Sequence, residues 1–184
     1  MMNTTEVKLE SKWSSRFIVA AITQGLLATL LTSYFVGGQT FGWLKPAFSR
    51  VIASGGAGQW FTVGYLSYII VGVVGVAVTA LFYHHLEVTL GKQYRGVASA
   101  LAWIHLIFMN VGALGATWLM IYGGYVAGGN MLPVEVGGKG WTAAQAHELL
   151  APLIPPITVF LALLMIGLLL GGLGYVITWK RKTA

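Results

Sequence analysis

The chain of 184 residues contains no cysteine and no aspartate, and only 9% of its side chains are charged. Without cysteine there are no disulfides, thiolate metal sites, iron–sulfur clusters or covalently attached c-type haem, so any cofactor has to be held by His, Met, Tyr or carboxylate. The charged fraction lies far below the roughly one quarter of ordinary soluble domains, which sets soluble-enzyme readings aside. What takes the place of charge is apolar: 57% of the residues are hydrophobic. Such a composition belongs in a bilayer. A pI near 9.7 is no sign of nucleic-acid binding here, because that needs a basic patch on a water-facing surface, and the eleven Lys and Arg residues sit at the ends of apolar runs.

A helix needs roughly 20 apolar residues to cross about 30 Å of hydrocarbon. Read between charges, the chain offers four such stretches: about 17–36, 60–83, 97–126 and 149–179. Membrane strands need only about 9–11 residues and alternate polar with apolar, a pattern these stretches lack. The expected fold is therefore all-α, an integral membrane four-helix bundle forming one domain over residues 1–184. The N-terminal MMNTTEVKLESKW is too polar for a signal peptide, so the first span is expected to be retained. Lys8, Lys12, Arg16, Lys92, Arg95, Lys180, Arg181 and Lys182 fall on one side of the spans, and Lys45, Arg50 and Lys139 on the other. The positive-inside rule then places the N- and C-termini inside a cell membrane. Trp13, Trp43, Trp60, Trp141 and Trp179 lie near span ends, as an interfacial aromatic belt requires.

The loops differ in kind. The outer segment 37–59 includes a stretch from Pro46 to Ala53 that reads as a short interfacial helix closed by GGAG, and 128–140 is a Gly-rich turn with Pro133. The inner link 87–96 is short and basic. Helix four is expected to begin with an amphipathic outer start over 142–150, with Thr142 as N-cap. Pro152, Pro155 and Pro156 should then kink or unwind it. Gly167 with Gly171, and Gly112 with Ala116, are spaced for close approach of helices in lipid; the same bare faces would also accept a flat cofactor.

Four histidines carry most of the chemical content, since polar groups at membrane depth are functional candidates. His84 and His85 close the second span and, being adjacent, point about 100° apart. His84, with Ala80 and Ala77 on its own face, is the better ligand candidate; both also read as interfacial residues beside a basic loop. His105 lies inside the hydrocarbon with Met109 and Gly112 on its face. Burying an imidazole without a partner costs a few kcal/mol, so it needs a hydrogen bond, a quinone or a metal. His147 stands at the outer end of helix four beside Glu148 and two residues after Gln145. Glu148, Gln145 and Glu87 are the candidates for handling protons or contacting a quinone.

From the third span into the fourth, the string LIFMNVGALGATWLMIYGGYVAGGNMLPVEVGGKGWTAAQAHELLAPL resembles subunit I of the haem–copper oxidase superfamily, nitric oxide reductases included. A Gly/Ala-rich helix leads through a polar outer loop into a helix that opens on a pattern like AAHGH. Residues 143–147, AAQAH, stand in that place. The resemblance implies His147 as an axial ligand of a low-spin haem, while Gln145 stands where the family has its other histidine. No HxxxY pattern or paired histidines for copper are present, so copper is not expected. The superfamily's subunit resembles three four-helix arcs around a pseudo-threefold axis, and this chain is one arc long, which suggests a homo-oligomer, a dimer or trimer, of arcs.

Without the resemblance, non-covalent haem b needs imidazoles at similar depth on facing helices, small residues against the ring and an apolar shell. His84 with His105 meets the depth requirement inside one chain; His147 must look to a neighbouring copy. The expected function is that of a b-type haem protein transferring single electrons in a respiratory chain, with quinol as one possible donor. The competing class is a cofactor-free accessory or structural subunit of a larger respiratory or monooxygenase complex. A transporter is disfavoured, because no span shows broken half-helices around a midplane site.

Overall fold

The computed structural model describes residues 11–181. Lys8, Lys182 and most of the polar N-terminal segment, which entered the orientation argument, lie outside these described residues. Helix α1 spans Lys12–Thr40, the short α2 Phe48–Ala53, α3 Gly58–Thr89, α4 Val97–Met131 and α5 Ala143–Lys180. The described residues contain no strand. Apart from α2, each helix is long and apolar enough to cross a membrane, so the fold is all-α with four candidate membrane spans. Each helix exceeds the run read from the sequence, because the helix continues past the last apolar residue wherever backbone groups still find partners.

Local chemistry accounts for the helix ends. At the start of α5, Thr142 and Gln145 form a capping box: the Gln145 N–H donates to the Thr142 hydroxyl (3.4 Å) and the Thr142 N–H to Gln145 Oε1 (2.9 Å). Both are donors that a helix N-terminus leaves unmatched. Pro152 then falls in a single 3-10 turn, Ala151–Leu153. Pro155 and Pro156 follow in the first turn of the resumed α-helix, where absent N–H groups are least missed. Helix α3 is wound with i→i+5 bonds over Tyr68–Gly75 and His85–Thr89. Where the first of these segments begins, the Tyr68 ring folds back over Gly72, whose missing Cβ would lie 2.8 Å from it.

The helices pack in the order α1, α3, α4, α5, and α1 and α5 make no substantial contact with each other. Glycine sets how close they come. At the α2 end of the bundle, α3 and α4 cross where Gly124 meets the Phe61 backbone and Gly128 meets Gly58. A Cβ on Gly124 would stand 2.0 Å from the Phe61 nitrogen. Toward the other end α5 lies along α4: Gly112 sits beneath the Leu164 and Phe160 backbone, Gly167 against Phe108 and Met109, and Gly174 against Leu101. This end also collects Lys12, Arg16, Lys92, Arg95, Lys180 and Arg181, and is called the basic end below. There the Lys92 ammonium donates to the Trp179 carbonyl, which places a cation on the carbonyl end of the α5 dipole, and Arg181 donates to the Arg95 carbonyl in the link before α4.

The interior carries the polar residues and the outside the large apolar ones. Gln24, Thr79, Glu87, His105 and Thr117 are buried, while Ile22, Leu26, Leu30, Leu81, Phe82, Leu169 and Leu173 are exposed. That distribution suits lipid, which solvates aliphatic chains as readily as a protein core does. Gly124→Ala is expected to destabilise the chain by about 1–3 kcal/mol through overpacking. Gly25→Ala, whose methyl would meet only Val73 at 3.8 Å, should be neutral or gain up to ~1 kcal/mol from helix propensity. Thermal unfolding of both variants in detergent measures the contrast.

Candidate functional site

His105 is the buried histidine of the described residues, 6% exposed, on the α4 face that meets α1, α3 and α5. Its ring is held from two sides. Phe17 of α1 stands 5.1 Å away between centroids, and on α5 the bare backbone of Gly171 presses on the ring so closely that a Cβ there would lie 2.0 Å from Nδ1. The Tyr83 hydroxyl lies 3.1 Å from Nδ1, and Tyr83 in turn stacks on Phe17 with centroids 4.7 Å apart. Nε2 is buried with no hydrogen-bond partner. A buried polar nitrogen left in this state costs roughly 1–3 kcal/mol.

Beside His105 a groove opens between α3 and α5, with a cavity volume of about 410 Å³. Thr79, Phe82 and Tyr83 form one wall, Leu168, Gly171, Gly172 and Tyr175 the other, and the buried His105 borders it. Its surface is almost wholly aliphatic and aromatic. The arrangement offers one oriented imidazole and one phenol to a flat apolar ligand.

The neighbouring histidines stand elsewhere. His84 and His85 follow Tyr83 directly and are both exposed, so the α3 side chain that reaches His105 is Tyr83. Glu87 is fully buried and serves α1: the Trp13 N–H donates to both of its oxygens (3.0 Å each) and the Ser14 N–H to Oε2 (3.2 Å). A carboxylate thus caps the N-terminus of another helix, where unmatched N–H groups and the helix dipole favour negative charge. Met109 is buried with its sulfur 3.7 Å from the Thr79 hydroxyl. Gly112 is taken up by the α4–α5 contact. At the far end of the bundle His147 and Glu148 are exposed; His147 borders a small pocket of about 180 Å³ with Gly56, Trp60, Met131 and Leu150, and Gln145 is engaged in the capping box. Among the described residues no three His, Cys, Asp or Glu side chains converge as a metal-binding group.

Two polar arrangements escape a reading by spacing alone. In mid-span, Tyr68 donates to Gln24 Oε1 (2.7 Å), Gln24 Nε2 donates to Asn110 Oδ1 (3.0 Å) and Asn110 Nδ2 donates to the Leu106 carbonyl (2.7 Å), which joins α1, α3 and α4. Near the basic end, Trp13, Tyr83, Tyr94 and Trp103 gather around α1. Burial raises the Tyr94 phenol above its ordinary range, and its hydroxyl has no partner. Gln24 and Asn110 are polar residues within spans, and only the fold pairs them.

The described residues define an all-α chain with four helices long and apolar enough to cross a membrane and a groove between α3 and α5 that His105 borders. Comparison with family models, curated proteins and solved structures finds no match to this chain.

Glu87→Gln keeps the shape but removes the charge at the α1 terminus and is expected to cost about 1–2 kcal/mol. Glu87→Ala should cost more, because the Trp13 and Ser14 N–H groups are then buried without an acceptor. Thermal unfolding in detergent at neutral pH tests the order, wild type above Gln above Ala.

Proposed function

We propose that the chain is a multi-pass protein of the cell membrane that carries haem b and transfers single electrons in a respiratory chain, with His105 as the iron ligand. The observation that carries this reading is the unpartnered Nε2 of His105, buried beside an apolar groove while Nδ1 is engaged by the Tyr83 hydroxyl. Haem-ligating imidazoles are held through their other nitrogen in this way, which fixes ring orientation and leaves one nitrogen for the metal. The lining suits such a group: Gly172, with nothing within 4 Å of where a Cβ would stand, would give a macrocycle access to bare backbone, and Phe82, Leu168 and Tyr175 would supply the water-free shell. When bound, haem supplies a reversible one-electron change at its iron, and burial is one of the protein's means of setting that potential.

The likeness of 143–147 to oxidase subunit I belongs to the same proposal. An open row of four helices supports the single-arc reading. His147, exposed at the opposite end, would ligate only in an assembly of two or more copies. A quinone carbonyl, which accepts a hydrogen bond, is the other partner suited to the same His105–Tyr83 pair. The second class of function, a cofactor-free accessory subunit, is favoured by one observation: Met109, Gly112, Gly167 and Glu87 are all accounted for by packing and capping.

A reduced-minus-oxidised spectrum of the purified chain is expected to show b-type α and Soret bands, lost in His105→Ala and retained in His147→Ala of the monomer. Protein that is colourless after expression with ample haem, or bands indifferent to His105→Ala, would overturn the assignment; a colourless chain that copurifies with larger subunits in fixed ratio would establish the accessory role.

For orientation, the basic end is assigned to the inside. The chain has no native cysteine, so single cysteines report topology cleanly. Lys139→Cys should react with an impermeant maleimide on intact cells, and Arg95→Cys only after permeabilisation; the reverse pattern would invert the topology.

A further inference from the structure

A second groove runs between α1 and α4, distinct from the one at His105, with a cavity volume of about 570 Å³. Its walls are Val19, Ala20 and Leu27 of α1 with Leu106 and Leu114 of α4, and Arg16 stands at its basic end. From Ser15 to Leu27 the α1 wall rises about 18 Å, close to the ~15 Å hydrocarbon depth of one leaflet. The Arg16 guanidinium is clamped over two indoles, 4.4 Å from the ring centres of both Trp13 and Trp103. Among the described residues it has no carboxylate ion-pair partner; Glu87, the acid of this region, is committed to the Trp13 and Ser14 N–H groups.

We propose that this groove is a binding site for one anionic phospholipid, whose phosphate meets Arg16 and whose acyl chain lies along Val19, Ala20 and Leu27. Three features select that occupant over a bare apolar contact. The groove rises about as far as one leaflet is deep; Arg16, the one cation among its described lining residues, stands at the basic end; and that cation is held over the rings of Trp13 and Trp103, so little is lost in ordering it when a phosphate binds. The mid-span Gln24–Asn110 pair, which lines the same groove, is internally satisfied and leaves the chain region free of polar groups in need of partners. The site is independent of whatever His105 binds.

The test uses the full chain, extracted in mild detergent and exchanged into mixed micelles containing equal phosphatidylglycerol and phosphatidylcholine, with retained lipid counted by native mass spectrometry. One phosphatidylglycerol per chain should be retained, in preference to phosphatidylcholine by about fivefold or more, as one basic residue near anionic lipid implies. Arg16→Gln should abolish the preference, Arg16→Lys should keep most of it, and Lys180→Gln, at the same end but outside the groove, should leave it intact. Val19→Trp, on an exposed wall position, should reduce retention of both lipids; circular dichroism checks that each variant is folded, and the Arg16 pair alone decides the question if Val19→Trp is not. Equal retention of the two lipids, an Arg16→Gln variant indistinguishable from wild type, or a dimer that closes the groove without lipid would each overturn the proposal.

Discussion

The structure depends on how closely α4 can approach its two neighbours. In lipid there is no gain from moving aliphatic side chains off a helix surface and onto another helix, so association rests on van der Waals contact and on hydrogen bonds between helices. Glycine makes that contact short. Gly124 and Gly128 let α3 lie against α4 at one end, and Gly112, Gly167, Gly171 and Gly174 do the same for α5 over the rest of its length. All but Gly174, where a Cβ would stand 3.2 Å from Leu101, would set an added methyl within 3.0 Å of a neighbouring helix. The consequence is a row of helices set by α4, with side grooves wherever a neighbour lacks such a contact.

The polar interior follows from the same packing. Once α4 is fixed between α3 and α5, His105 has Gly171 beneath it and Tyr83 beside its Nδ1, and Asn110, little more than a turn further on, meets Gln24 and through it Tyr68. Interhelical hydrogen bonds of this kind contribute about 0.6 kcal/mol on average in membranes. They fix register more than they add stability. Glu87 does for the α1 terminus what Asn110 does at mid-span: it gives a specific partner to groups that lipid cannot satisfy. Every polar side chain in this set is matched except His105 Nε2, which is why the groove beside it carries the functional proposal.

Much of the architecture was legible in the residues. The four spans, the short helix after Pro46, the Thr142 N-cap and the helix irregularity at Pro152 all follow from apolar run length, cap chemistry and the missing proline N–H. The site was legible only in part. His105 is marked by being an imidazole at membrane depth, but the sequence leaves its partner open between a hydrogen bond, a quinone and a metal, and does not single out Tyr83. Tyr83 reads in sequence as an aromatic at a span end, and nothing in local spacing points its hydroxyl at an imidazole 22 residues further on. Glu87 reads as a proton-handling group and is a helix cap, because a contact 74 residues away in sequence leaves no trace in local spacing.

The sequence by itself determined the solvent and the vocabulary. A chain with 9% charged residues and no cysteine carries four helices apolar enough to cross lipid, and must draw any side-chain metal ligand from imidazole, thioether, phenol or carboxylate. Which of those groups meet was decided by tertiary structure alone. Side chains on one helix are related by a rise of ~1.5 Å per residue and can be reasoned about from spacing, whereas the distance between two helices depends on every glycine and ring at their contact. That is what brings Tyr83 to His105, turns His84 outward, and leaves Arg16 held between two tryptophans at the mouth of an apolar groove.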